Sequence, residues 1–439
     1  MDPTIPLCQV QPSFQSSLTS KDRSIPWDLV GTDFIPPVYQ LDRQFPPYQE
    51  KIQGITLNLN KTLKSLPPSW RPQSKFVDLT KYQNLTTIKQ AYAAVKDFSK
   101  IRSLVNPYEQ IGNSVFINRA AIKLANIDAI FNLTGHAGGL TKMRTVDTEG
   151  NEGIDQSANT QIKSEETNPF PDGKRFTFCD LAGAPGGFTE YLLYRKAFYT
   201  YGIGMSLKSG LGWATTRIDM ERFRYTYGED GSGDLLTQGF SFIKEANITF
   251  GIEGGAQLVV ADGGFEVEGK EELQEILSIP LIIAESMIAT QVLKSGGNFV
   301  VKIFDTVTQP MIELIYLLSY SFDRITIFKP MSSRPANSER YLICQGFIPE
   351  TGRQVGQTLQ RVYPLIQRGQ IPTSLIKSTL PESCITYLRI MNNLSIDWQL
   401  EAGKRILQSS RKVQISIPVY DLSRALIIWN IPDNPDTRI

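Results

Sequence analysis

Four polar residues stand where the surrounding pattern calls for apolar ones, or where a strand should end. Lys302 interrupts Val300-Val301 and Ile303-Phe304, a run that otherwise reads as a buried strand. An unpaired buried lysine is costly, so it needs a carboxylate partner, a lowered pKa, or both. Asp262 closes the strand-like run Gln257-Leu-Val-Val-Ala and is followed by Gly263-Gly264. Lys123 lies at helical spacing beside Ala120, Leu124, Ile127 and Phe131, and Glu339 ends the polar stretch that starts at Ser332. Each also has a structural reading: a strand-end aspartate caps the next turn, and a lysine on an apolar face snorkels to solvent. Together, two lysines and two carboxylates can balance their charge in one cleft.

The stretch Phe176-Thr-Phe-Cys-Asp-Leu-Ala-Gly-Ala-Pro-Gly-Gly-Phe-Thr-Glu-Tyr-Leu192 joins a β-type run to a helical pattern through a glycine-rich turn. Ligands of open α/β sheets sit at such carboxyl ends, and glycine lets them approach the backbone. The turn lacks the Gly-Lys-Ser/Thr end of a P-loop, and its glycines are not spaced as GxGxxG. That leaves a site for S-adenosylmethionine, or a purely structural strand-to-helix turn. Methyl transfer from a sulfonium to a hydroxyl needs a base for the hydroxyl proton. A lysine serves if its neutral form is accessible, which desolvation and a second ammonium promote. This chemistry requires no metal.

The elements that must position these residues alternate. Strands are expected near 176–180, 201–207, 257–262, 298–304, 324–328 and 340–347, with a helical pattern over 76–105 and helices over 119–132, which Asn118 can cap, 188–192 onward, 270–295 and 308–321. Residues 208–235 read as a long loop. The alternation implies an α/β fold with a mainly parallel sheet covered by helices on both faces. Residues 1–75 read as a proline-rich arm, 76–350 as the central domain with a polar insertion at 141–174, and 351–439 as a helical extension packed on it. Of 439 residues 41% are hydrophobic and 20% charged, as in a globular protein. The longest apolar run, 279–293, is interrupted by Glu285 and Ser286, so no membrane span is expected. Four widely separated cysteines argue against a zinc or disulfide framework. A net charge of +1 excludes a uniformly basic nucleic-acid coat, yet residues 61–102 carry nine basic side chains against Asp78 and Asp97. Such a stretch either holds a polyanion or forms a solvated face.

Five ordered motifs carry a resemblance. Phe116-Ile-Asn-Arg-Ala-Ala-Ile-Lys123, Cys179 to Leu192, Ala261-Asp-Gly-Gly-Phe265, Val301-Lys-Ile-Phe-Asp305 and Ser333-Arg-Pro-Ala-Asn-Ser-Glu-Arg-Tyr341 resemble the cap-specific mRNA 2′-O-methyltransferases. These belong to the FtsJ-like group of Rossmann-like, S-adenosylmethionine-dependent methyltransferases. The resemblance implies a Lys-Asp-Lys-Glu tetrad at Lys123, Asp262, Lys302 and Glu339, with Lys302 as base for the 2′-hydroxyl of the first transcribed nucleotide. It implies a cofactor site at Asp180, Gly183, Ala184, Pro185, Gly186, Gly187, Phe188 and Asp234, and cap or RNA contacts at Lys89, Tyr92, Arg102 and Asn337. The implied partners are capped mRNA and the transcription or capping machinery. The implied location is the nucleus or, for a viral protein, a cytoplasmic replication site or virion. The alternatives are action on the second nucleotide or on structured RNA, or a non-catalytic cap-binding or RNA-binding subunit.

Overall fold

A computed structural model describes residues 52–57, 65–106, 108–109, 111, 116–135, 175–196, 199–251, 254–264, 271–411, 422–429 and 431. Most of the expected arm, the whole expected insertion at 141–174 and Phe265 lie outside them. In chain order the elements are β1 (Gly54–Thr56), α1 (Leu79–Ala93), α2 (Phe98–Leu104), α3 (Arg119–Phe131), β2 (Phe176–Leu181), α4 (Gly187–Lys196), β3 (Thr200–Met205), β4 (Phe223–Thr226), α5 (Leu235–Thr249), β5 (Ala256–Ala261), α6 (Gln274–Val292), β6 (Leu293–Ile303), α7 (Gln309–Ser321), β7 (Phe322–Phe328), β8 (Arg340–Phe347), α8 (Pro349–Gln367), β9 (Gln370–Pro372), α9 (Glu382–Ser410) and α10 (Leu422–Ile428).

Seven strands form one sheet in the order β4-β3-β2-β5-β6-β8-β7. Neighbours are parallel from β4 to β6, while β8 runs against both β6 and β7. The mainly parallel sheet is therefore as expected, with one reversed strand. Because the chain leaves β2 toward β3 and β4 and then returns to β5, the order reverses between β2 and β5. That reversal opens the crevice in which doubly wound sheets bind ligands.

Strands buried on both faces read as continuous apolar runs, which is why β2, β5 and the end of β6 were recognisable. The edge strand β4 was not. Its central Arg224 and Tyr225 are exposed, so no buried run marks it inside the stretch expected to be a loop. The helical pattern from 76 to 105 is two helices rather than one. Asp97 adopts a left-handed φ of 59° between them, which α-helix continuation does not allow. Helix α6 is apolar enough to cross a membrane by length and composition, yet 83% of that window is buried inside the fold.

The boundary expected at residue 75 falls within packed structure. Leu66 and Trp70 are buried, and the Trp70 indole N–H donates to Pro372 O at 3.1 Å. Strand β1 pairs antiparallel with β9, beyond the sheet. After Phe347 the described residues form α8, β9, α9 and α10, and α8 buries Val355, Leu359, Val362 and Ile366 in the same core as α6.

One buried side chain joins these outer parts to the sheet. Arg340, 2% exposed, donates to Phe304 O at 2.9 Å, Met391 O at 3.3 Å and Asn392 Oδ1 at 3.2 Å. Asn392 in turn donates to Phe76 O at 3.1 Å and Thr306 O at 2.7 Å. A buried guanidinium needs such acceptors to offset its lost hydration.

If residues 65–75 belong to the folded body, Trp70→Ala should lower unfolding free energy by about 3–5 kcal/mol, as for other buried tryptophans. Denaturant unfolding followed by circular dichroism would measure it; a change below about 1 kcal/mol would be that of a surface residue.

Candidate active site

The turn after β2 is built around Asp180. Its Oδ2 accepts from Thr189 N at 3.2 Å and Thr189 Oγ1 at 2.7 Å, while its buried Oδ1 has no protein partner. Burial pushes this carboxyl up to about 7, against the two Thr189 bonds. The backbone folds back over it so closely that a Cβ at Gly183 would stand 2.2 Å from Oδ1. Gly186 has a φ of +108°, which L side chains rarely adopt. At Gly187 a Cβ would meet Asn118 Oδ1 at 2.1 Å. Asn118 is the residue that caps α3, its Oδ1 accepting from Ala120 N at 2.9 Å. The turn therefore packs against the start of the helix that carries Lys123.

Helix α3 begins at Arg119 as expected from its cap, but its buried surface is wider than the single apolar stripe. Ala121, Ile122, Ala125, Asn126 and Asp128 are buried with Leu124 and Ile127, whereas Ala120 and Phe131 are only partly so. The helix is enclosed because the segment after β7 covers a further side, where Asn126 Oδ1 accepts from Met331 N at 2.8 Å.

The four tetrad residues meet in one cluster, each side chain 11–16% exposed. Lys123 Nζ lies 2.8 Å from Glu339 Oε1. Lys302 Nζ donates to Asp262 O at 2.6 Å and stands 3.3 Å from Asp262 Oδ1. Burial alone would lower the Lys123 ammonium, but Glu339 and Asp262 outweigh it and raise the pKa. Burial likewise opposes ionisation of Glu339, and Lys123 and Lys302 overcome it, holding the carboxyl far below its usual range. Ser333 Oγ donates to Glu339 Oε1 at 2.7 Å, and Tyr341 OH to Asp262 Oδ1 at 2.6 Å. The Asp-Gly-Gly sequence has a steric reason. A Cβ at Gly263 would be 2.6 Å from Glu285 Oε1, and one at Gly264 would be 3.0 Å from Lys302 Nζ.

Glu285, on α6, is 1% exposed and neither carboxylate oxygen has a protein partner. Burial drives this carboxyl well above its usual range, Lys302 opposing and Asp262 and Asp180 reinforcing. Its interruption of an apolar run was visible in the sequence, but its approach to Gly263 was not.

A cavity of about 520 Å³ adjoins the cluster and is lined by all four residues assigned to cap or RNA contacts, Lys89, Tyr92, Arg102 and Asn337. Tyr92 stacks on Phe98 with centroids 5.2 Å apart, and the Arg102 guanidinium lies 5.2 Å from the same Phe98 ring. Three carboxylates given no role by the sequence, Glu271, Glu272 and Asp305, share the cavity lining with Arg334. Two segments run from cavity to tetrad: Asp305 follows Lys302 by three positions, and Asn337 precedes Glu339 by two. Lys329 lies under the second segment, its Nζ donating to Asn337 O and Oδ1 and to Glu339 O. Burial pushes Lys329 down to about 7, against the pull of Glu339.

Asp234 is less central. It caps α5, accepting from Leu236 N at 2.9 Å, beside the carboxyl end of β3, where a Cβ at Gly233 would be 2.0 Å from Ser206 O. The described residues contain no cluster of His, Cys, Asp and Glu that could hold a metal ion.

A switch-point crevice with a glycine turn and a lysine-carboxylate cluster at its strand ends is that of a Rossmann-like methyltransferase. Residues 116–347 match the FtsJ-like methyltransferase family, and the chain belongs to it. It is 37% identical over 258 residues to the mouse (Mus musculus) cap-specific mRNA (nucleoside-2′-O-)-methyltransferase 1, covering 57% of this chain and 28% of the relative. Its identity to the Caenorhabditis elegans protein of the same name is 35% over 285 residues, covering 61% and 29%. A Caenorhabditis briggsae protein named an inactive cap-specific mRNA (nucleoside-2′-O-)-methyltransferase 1B is 34% identical over 297 residues, covering 66% and 34%. The chain thus spans about a third of the length of these curated relatives.

Asp180 has a folded pKa of about 7 against an ordinary 3.8, so its protonated form favours folding. Its contribution is fully present at low pH and is lost as pH rises from about 4 to 7. Thermal unfolding across that window should show a shallower decline in Asp180→Asn than in the unaltered protein. An identical slope would mean that Asp180 is ionised throughout.

Proposed function

We propose that the protein transfers a methyl group from S-adenosylmethionine to the ribose 2′-hydroxyl of the first transcribed nucleotide of a capped RNA. The observation that carries this reading is the cavity next to the tetrad, joined to it through Lys302–Asp305 and Asn337–Glu339. A cap held in that cavity leaves the following ribose within reach of Lys302.

The cavity's chemistry fits such a ligand. Lys89, Arg102 and Arg334 suit a chain of phosphates, while Glu271, Glu272 and Asp305 suit a base that carries positive charge and N–H donors. A 7-methylguanosine joined through phosphates presents both signs of charge at once; an uncapped RNA end does not.

The crevice residues also fit the cofactor. Asp180 leaves a buried oxygen without a protein partner, and the missing Cβ at Gly183 is what lets the turn's backbone lie against it. Asp180 and residues 183–188 would hold S-adenosylmethionine, with Asp234 at the far edge near β3. When bound, the cofactor supplies a methyl group on a positively charged sulfur. In its neutral form Lys302 would accept the proton of the 2′-hydroxyl at Nζ as that oxygen takes the methyl group, and Asp262 orients the nitrogen through its carbonyl and carboxylate oxygens. Lys123 remains an ammonium paired with Glu339, which fixes one positive charge beside Lys302. Tyr341 keeps Asp262 Oδ1 turned toward the cluster. These donors and acceptors are already in place, so little reorganisation accompanies the proton transfer.

A second reading has one specific observation behind it, the relative named as inactive. A subunit that binds the cap without turnover would use the same cavity.

Labelled S-adenosylmethionine and a short RNA carrying a 7-methylguanosine cap should give label on the first nucleotide's 2′-oxygen. Lys302→Met should reduce the rate by roughly 10²–10⁴-fold, the range expected for losing a general base. Equal labelling of uncapped RNA would move the substrate to structured RNA. Tight cap binding without labelling would favour the binding subunit.

A further inference from the structure

Lys329 belongs neither to the tetrad nor to the cavity lining, yet it is fastened to both. It follows β7 directly, is 4% exposed, and donates to Asn337 O at 2.8 Å, Asn337 Oδ1 at 2.9 Å and Glu339 O at 2.8 Å. An ammonium has three N–H donors and no lone pair, so all three are used and only an oxygen can face it. That settles which end of the Asn337 amide points where. The oxygen turns to Lys329, and the amide nitrogen has no acceptor among the described residues. Asn337 lines the cavity, so the group it offers a ligand there is a donor.

Resting on the cap reading above, we propose that Lys329 is a positioning residue that fixes Asn337 as a hydrogen-bond donor to the acceptor edge of the bound cap base. Through the same ammonium it ties the backbone of Glu339, so the cavity wall and the tetrad keep a common register. The neighbouring wall carboxylates Glu271, Glu272 and Asp305 accept and, when ionised, cannot donate. With Lys89, Arg102 and Arg334 given to the phosphates, the Asn337 donor beside these acceptors is the complement of guanine, which carries O6 as acceptor beside N1–H and N2–H donors. A base with an amino group at position 6 would set donor against donor, leaving a buried polar group unpaired.

The test compares methyl transfer from S-adenosylmethionine to two RNAs that differ only in the cap base. One carries 7-methylguanosine, the other the 7-methyl 2,6-diaminopurine nucleoside, which replaces O6 with an amino group. Rates are taken at pH 6, below the value near 7 to which burial brings Lys329. The unaltered protein should prefer guanine in kcat/KM by roughly tenfold or more. Lys329→Gln frees the Asn337 amide to turn over and should remove most of that preference, with a lower kcat from the released Glu339 backbone. Asn337→Asp keeps the contact to Lys329 but offers no donor, and should remove the preference mainly through KM. A purely structural lysine would lower Tm and leave base preference intact. Preference absent in the unaltered protein, or retained in folded Lys329→Gln, overturns the proposal; if that variant does not fold, Asn337→Asp decides in the same way. Failure of the unaltered protein to label either RNA would instead overturn the cap reading.

Discussion

The constraint on which the structure depends is mutual neutralisation of two lysines and two carboxylates at the strand ends. None of the four could be ionised alone at 11–16% exposure without a large desolvation cost. Together they form two ion pairs, Lys123 with Glu339 and Lys302 with Asp262, close enough that Asp262 bears on the Lys123 ammonium and Lys302 on the Glu339 carboxylate. They come from four places: a helix, the end of β5, the end of β6 and the loop before β8. The cluster exists only when the sheet has closed around it, and much of the surrounding sequence keeps those parts at the right distance.

The glycines illustrate this. Gly183, Gly187, Gly263 and Gly264 are each placed where a Cβ would collide with a polar side chain of the site or of its supports. Gly187 is the most consequential, because the contact it permits is with the cap of α3. The turn that shapes the crevice thereby also sets where the helix carrying Lys123 begins. A change in the turn would be felt at the opposite wall of the cluster, through packing rather than charge.

Much of the fold was legible because buried parallel strands are apolar and bounded by glycine, and because Asn118 is a recognisable cap. Lys302 was legible for the opposite reason, as a charge inside such a run. The exposed edge strand β4 has no such contrast. Of the cavity's three carboxylates, Glu271 and Glu272 lie in an ordinary polar stretch and Asp305 closes the motif that carries Lys302, and all three acquire a role at the cavity only when Tyr92 and Arg102 share its lining. Lys329 was hidden similarly. Its neighbours in sequence are Phe328 and Pro330, and the acceptors that define its role lie eight and ten positions on. The Ser333–Tyr341 motif marks Glu339 and Asn337, whereas Tyr341 and Ser333 become supports of Asp262 and Glu339 only through contacts that the fold creates.

Arg340 has a bearing on where this protein's FtsJ-like domain begins and ends. The residues that resemble the family run from 116 to 347, yet the guanidinium next to Glu339 is completed by Met391 and Asn392, and Asn392 is held by Phe76. Cutting at the limits of similarity would strip acceptors from a buried cation one residue from the tetrad. The portion that could be moved intact into another protein, by recombination or by design, is therefore larger than the portion by which its ancestry is recognised.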